Sequence, residues 1–237
     1  MKRKLAVVLL ICISCHMGWA AQDFVWKSGQ NMKVVCDTTE APVVKVALDL
    51  LKRDCRSVLS GNISRSENTG NIYVGTWGES SVLQALAETR QLDVALLNEH
   101  KEAFLLNVLP DGRLIVAGSD KRGTAYGVLE LSRMMGVSPW EWWADAVPEK
   151  KEELRLPAGF RKLDYPQVAY RGIFINDEDW GLTPWSWKHY EPSERKGQIG
   201  PKTHARIFEL LLRLRANTFW PAMHECSIPF FFTEGNK

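Results

Sequence analysis

Asn176, Asp177, Glu178 and Asp179 follow directly on YRGIFI, part of an apolar run that reads as a strand from Val168 to Ile175. A second apolar run, Ala216 to Met223, lies within NTFWPAMHE and delivers Trp220, His224 and Glu225. Acids at the carboxyl ends of parallel strands stand where α/β barrels hold their chemistry. Two carboxyls, one protonated and one ionised, are what cleavage of a glycosidic bond needs. Trp180, Trp185, Trp187 and Trp220 supply flat apolar faces that can stack on sugar rings. The residues therefore suggest carbohydrate chemistry, with Asp177 and Glu178 as candidate catalytic groups. Asn176, Asp179, Trp220, His224 and Glu225 are candidate substrate-binding groups. Each has a plainer reading. Neighbours at a strand end point to opposite sides, so the three acids cannot all face one pocket. An acidic triplet also serves as a solvated loop, and Trp220 and Met223 suit core packing.

These groups need a frame. Ile207, Leu210, Leu211 and Leu214 mark one face of a helix from about Lys202 to Arg215, so strand, long loop, helix and strand form a right-handed crossover unit. A closed barrel takes eight such repeats and about 250 residues. Residues 164–237 are expected to form only the first strands and helix of an incomplete (β/α)8 barrel. Upstream, residues 21–163 read as an α/β sandwich domain. Lys33 to Cys36 is a short strand, and Pro42 opens a helix with Val43, Val46, Ala47, Leu50 and Leu51 at helical spacing. NIYVGTW is β-rich, and Ser81 to Leu92 is helical. Ala103 to Leu109 and Arg113 to Ala117 flank a PDG turn, where Gly112 is expected at positive φ. Asp120 is the expected N-cap of a helix that Gly136 stops. Glu149 to Leu156 turns into a short strand, and Pro157 to Pro166 looks like a linker. Trp140, Trp142 and Trp143 suit a wedge or a buried hinge between the two units.

Composition bounds the function. With 237 residues, 45% of them hydrophobic, the chain can build a sizeable core. A net charge of +2 spread through mixed-sign segments gives no case for nucleic acid or an anionic membrane as partner. Residues 1–20 read as a secretory signal peptide, with a basic start and an apolar run from Leu5 to Ile13 that is too short to span a bilayer. A secreted or periplasmic product is expected; cleavage before Cys15 to give a lipoprotein is the weaker alternative, because Cys12 stands where such leaders usually carry Leu. Cys36, Cys55 and Cys226 lack the spacing of a zinc site, and His100, His189 and His204 show no partner spacing, so no metal or cofactor is expected. Buried thiols are expected over a Cys36 to Cys55 bridge.

GSDKRGTAYGVLELSRMMGVSPWEWWADAVP, YRGIFINDED and LLLRLRANTFWPAMHE, in this order, resemble glycoside hydrolase family 115, the xylan α-1,2-glucuronidases. The resemblance implies an N-terminal α/β domain packed against a (β/α)8 domain, with inverting removal of glucuronic acid or its 4-O-methyl ether from xylan. Glucuronoxylan or a related oligosaccharide is the implied partner, and a neutral His224 could donate to a uronate oxygen. It also raises Asp177 and Glu178 above a solvated loop, with their roles open between acid or base work and the holding of sugar hydroxyls. WWADAVPEKK departs from the WWADVPV more usual in the family. Other acids and the cationic partners of the uronate are expected beyond Lys237, as are domains through which homo-oligomers could form, so this chain alone is expected to be inactive. The alternatives are a family 67 or family 20 glycosidase fragment, and a non-catalytic remnant.

Overall fold

The computed structural model describes residues 20–89, 91–176 and 180–237. In chain order the strands and helices are β1 (Phe24–Lys27), β2 (Asn31–Cys36), α1 (Pro42–Leu59), β3 (Asn62–Ser66), β4 (Ile72–Thr76), α2 (Ser81–Glu88), α3 (Ala95–Glu99), β5 (Phe104–Val108), β6 (Leu114–Gly118) and α4 (Lys121–Met134). They continue with β7 (Glu153–Leu156), β8 (Arg161–Asp164), β9 (Gly172–Phe174), α5 (Leu182–Trp185), α6 (Pro201–Arg213) and β10 (Thr218–Trp220). The leader expected over 1–20 lies, apart from Ala20, outside the described residues. No described helix is long and apolar enough to cross a membrane.

Six strands form one mixed sheet in the order β3-β2-β4-β6-β5-β8. β3, β2, β4 and β6 run parallel, while β5 is antiparallel to both β6 and β8. IYVGT in β4 and LIVAG in β6 are buried at every position, the unbroken burial of strands covered on both faces. One core lies on the α1 and α4 side, where Val44, Leu51, Val58, Val128 and Leu131 meet Val34, Val74 and Val116. The β1 and β7 pair adds Phe24, Trp26, Leu154 and Leu156 to it. The second core gathers Leu83, Leu86 and Leu97 of α2 and α3 against Tyr73, Leu105 and Ile115.

Local chemistry explains the helix ends. Pro42 opens α1 where its missing N–H costs nothing. Asp120 caps α4 as expected, its Oδ1 accepting from the backbone N–H of Arg122 and of Gly123, both at 2.9 Å. Gly123 has no side chain because α4 presses on β5 there: a Cβ would lie 2.1 Å from the Ala103 carbonyl oxygen. The hairpin between β5 and β6 forms as expected, with Gly112 at φ 81°. Cys36 and Cys55 are free buried thiols, and burial, the largest influence on each, pushes them up to about 12 and about 11.

Three parts of the frame differ from the expectation. The stretch from Pro157 to Pro166 is not a bare linker, since β8 within it forms the sheet edge beside β5. β1 and β3 were not foreseen; each is a short strand with a polar or charged rim. The strands expected over Val168 to Ile175 and Ala216 to Met223 shrink to three residues each, paired in parallel.

Candidate active site

β9 and β10 set the geometry of the site. Their register matches Gly172 to Thr218, Ile173 to Phe219 and Phe174 to Trp220, and the Ile175 N–H donates to the Trp220 carbonyl at 2.9 Å. Parallel pairing puts both carboxyl ends on the same side, so Asn176 and the segment from Trp220 to Glu225 share one end of the pair. Alternation gives the pair two faces. Ile173 and Phe219 turn half-buried toward α6, where the Phe219 and Phe208 rings lie 5.2 Å apart. Phe174 and Trp220 turn the other way, 5.1 Å apart and 48% and 58% exposed.

Among the candidate residues, Asn176, Trp220, His224 and Glu225 are all exposed at this end. The Trp220 Nε1–H donates to Met223 Sδ at 3.3 Å, which ties the turn after β10 back to the strand. The His224 carbonyl accepts from the Ser227 N–H at 2.9 Å. Trp180 is 87% exposed beyond the β9 tip. Asp177, Glu178 and Asp179 lie outside the described residues. Trp187 is half-buried with the Lys188 ammonium 5.0 Å from its ring, and Trp185 does not join the tip. Trp185 instead stacks on Tyr190 at 4.8 Å and meets Trp142 and Trp143 at 6.1 and 6.0 Å.

That tryptophan group is where the WEWWAD segment meets the second unit. Trp142 and Trp143 are half-buried and perpendicular at 4.8 Å, the Trp143 Nε1–H donates to the Arg206 carbonyl at 3.1 Å, and the Arg206 guanidinium lies 4.8 Å from the Trp142 ring. Trp140 is exposed and Asp145 takes a left-handed φ of 49° in the open. The wedge reading thus fits Trp142 and Trp143 but not Trp140.

Three clusters of charge, invisible as patterns in the sequence, fasten the same boundary. Arg213 of α6 donates to Asp54 of α1 through both terminal nitrogens at 2.8 and 3.0 Å, and Arg53 pairs with Glu209 beside it. Glu130 of α4 collects Arg133, Lys162 and Arg215 at 2.6, 2.7 and 2.6 Å. Burial raises its carboxyl, but bonds from Arg133 and Lys162 and the Arg215 charge outweigh this and hold it at about 2. Glu102, which precedes β5, accepts from Arg122, Arg171 and the Asn217 amide. Its carboxyl also lies below the ordinary value: burial opposes this, and bonds from Asn217 and Arg171 overcome it. The one local signal is RLRAN, which carries Arg213, Arg215 and Asn217 in five positions.

The model of glycosyl hydrolase family 115 matches residues 163–236. A solved family GH115 4-O-methyl-α-glucuronidase, BtGH115A, with specificity for decorated arabinogalactans, is 62% identical and superposes with a TM-score of 0.85, covering 90% of this chain and 28% of its own. The chain therefore spans 28% of the length of that relative. CpGH84D is 15% identical with a TM-score of 0.49, covering 91% of this chain and 38% of its own. A Streptomyces plicatus β-hexosaminidase is also 15% identical at 0.49, covering 85% and 32%. No curated protein matches the chain.

Proposed function

Because the chain belongs to glycosyl hydrolase family 115, we propose that it contributes to an α-glucuronidase, which hydrolyses the bond between (4-O-methyl)glucuronic acid and a polysaccharide. One observation carries this beyond family membership: the register of β9 and β10 brings Asn176 and the Trp220 to Glu225 segment to one end, with an aromatic face open beside them. Asp177 and Glu178 are the proposed catalytic carboxyls. Inversion would need one of a pair to protonate the leaving oxygen and the other to activate a water across the sugar ring. Asn176, Asp179 and Glu225 would hold hydroxyls, His224 would donate to the uronate, and Trp220 would stack on the ring. Residues 164–237 are taken as the opening of a (β/α)8 barrel, and the parallel pair joined through α6 supports this. Residues 21–163 are taken as an accessory domain and residues 1–20 as an export leader, giving a secreted or periplasmic protein.

Glucuronoxylan is the first substrate reading. Decorated arabinogalactan is the second, favoured by the relative that is 62% identical over the part it has in common with this chain. The same likeness disfavours a family 67 or family 20 activity. In the family-length enzyme, Asp177→Ala is expected to slow uronic acid release at least about a hundredfold. Assaying wild type and variant on both polysaccharides, with the released uronic acid quantified, separates the two substrates. A wild-type rate for the variant removes Asp177 from the mechanism.

A further inference from the structure

We propose that Glu102 is a positioning residue that keys the register of β9 and β10 and so decides which side chains face the sugar. This rests on the glycosidase reading above. Strands of three residues make a pair that is marginal on its own, and slipping one strand by a single residue exchanges its two faces. Such a slip in β10 would turn Trp220 toward α6 and Phe219 outward. Something must hold the register, and the held end is the amino end, away from the tips. There the Asn217 and Thr218 N–H groups both donate to the Arg171 carbonyl, at 2.8 and 2.9 Å. The Arg171 N–H returns a bond to Asn217 Oδ1 at 3.0 Å. Gly172 follows with its Cα against the neighbouring chain, where a Cβ would meet the Thr218 carbonyl oxygen at 1.8 Å.

Glu102 locks both members of this junction at once. Asn217 Nδ2 donates to its two oxygens at 3.0 and 3.1 Å, and the Arg171 guanidinium pairs with Oε2. Arg171 also donates to the carbonyls of Arg215 and Val168 at 2.8 and 2.6 Å, so the one guanidinium touches the chain before each strand. Glu102 itself cannot drift. Its φ is 54°, its N–H donates to Asp120 Oδ2 at 2.8 Å, and the other oxygen of Asp120 caps α4. A rigid line therefore runs from the α4 cap through one buried carboxylate to both strand starts. At the tip end, the last ladder bond among the described residues runs from the Ile175 N–H to the Trp220 carbonyl.

The test combines hydrogen exchange on this chain with uronate binding by the family-length enzyme carrying the same variants. Wild type should protect the amides of Ile175, Asn217 and Thr218. Glu102→Ala should speed their exchange about tenfold or more, since the bonds lost are to a charged group, while β4 and β6 keep their protection. Glu102→Asp should recover part of that protection, and titration of a glucuronate-bearing oligosaccharide should weaken with Glu102→Ala and return with Glu102→Asp. Unchanged exchange at these amides in Glu102→Ala overturns the proposal, as does loss spread evenly over β4 and β6 in both Glu102→Ala and the shape-preserving Glu102→Gln. If wild type binds no uronate while exchange responds as expected, the sugar reading fails and the register key stands.

Discussion

Glu130 keeps its charge inside the molecule, and acid should reveal it. Its carboxyl is held at about 2 against an ordinary 4.5, so the folded chain binds that proton less readily than the unfolded one. The stabilisation is complete above about 4.5 and is lost as pH falls through that value toward 2, a contribution of order 2 kcal/mol once solvent screening by the exposed side of the cage is allowed for. Urea midpoints measured from pH 6 down to pH 3 should fall for wild type, and Glu130→Gln should start lower and fall less. An equal slope in both would assign the acid sensitivity elsewhere. The cage shows where reading residues from a sequence stops. Asp177, Trp220 and His224 stand out because they follow apolar strands, a local pattern. Glu130, Glu102 and the Asp54 and Arg213 pair are ordinary helix or turn residues most of whose partners lie far along the chain, up to 159 positions away, and nothing local distinguishes them from solvated charges.

Among the elements, α4 is the one whose placement everything else shares. It packs on α1, abuts β5 at Gly123, caps itself through Asp120 and carries Glu130. Gly123→Ala should cost about 2 kcal/mol, because the atom a Cβ meets at 2.1 Å is backbone and cannot rotate away. A thermal midpoint within error of wild type would mean that α4 shifts freely against β5, which would also weaken the rigid line to Glu102. Helices α1, α2, α4 and α6 are legible from apolar spacing, as are the Asp120 cap and the hairpin at Gly112, whereas the short α3 and α5 carry too few residues to show a period. Pairing order is not legible. A sheet ordered β3-β2-β4-β6-β5-β8 depends on which strands meet across the chain, and β8, reading RKLD, has only an edge strand's mixed polarity to announce it. The short β9 and β10 were overestimated because apolar residues continue past the last ladder bond.

At the scale of the molecule, the pair β9 and β10 leaves Phe174, Trp220 and Met223 together on an open face, 48%, 58% and 68% exposed. Contiguous apolar surface of this kind drives association. Sedimentation of this chain should show apparent mass rising with concentration, and the double change Phe174→Ser with Trp220→Ser should suppress the rise; concentration-independent monomer for wild type would show that the face is covered in solution. The three charge clusters and the tryptophan wedge bind the two units over a broad front, so the open face is carried on a well-seated support.

The perpendicular indoles of Trp142 and Trp143, with Trp185 joining from across the boundary, have an optical consequence. Aromatic transitions this close and this inclined mix, and mixed transitions yield a two-signed band in ultraviolet circular dichroism. Because Trp185 comes from the opposite side, that band is a built-in gauge of whether the halves remain docked. It can be followed without labels through heating, acid or sugar addition.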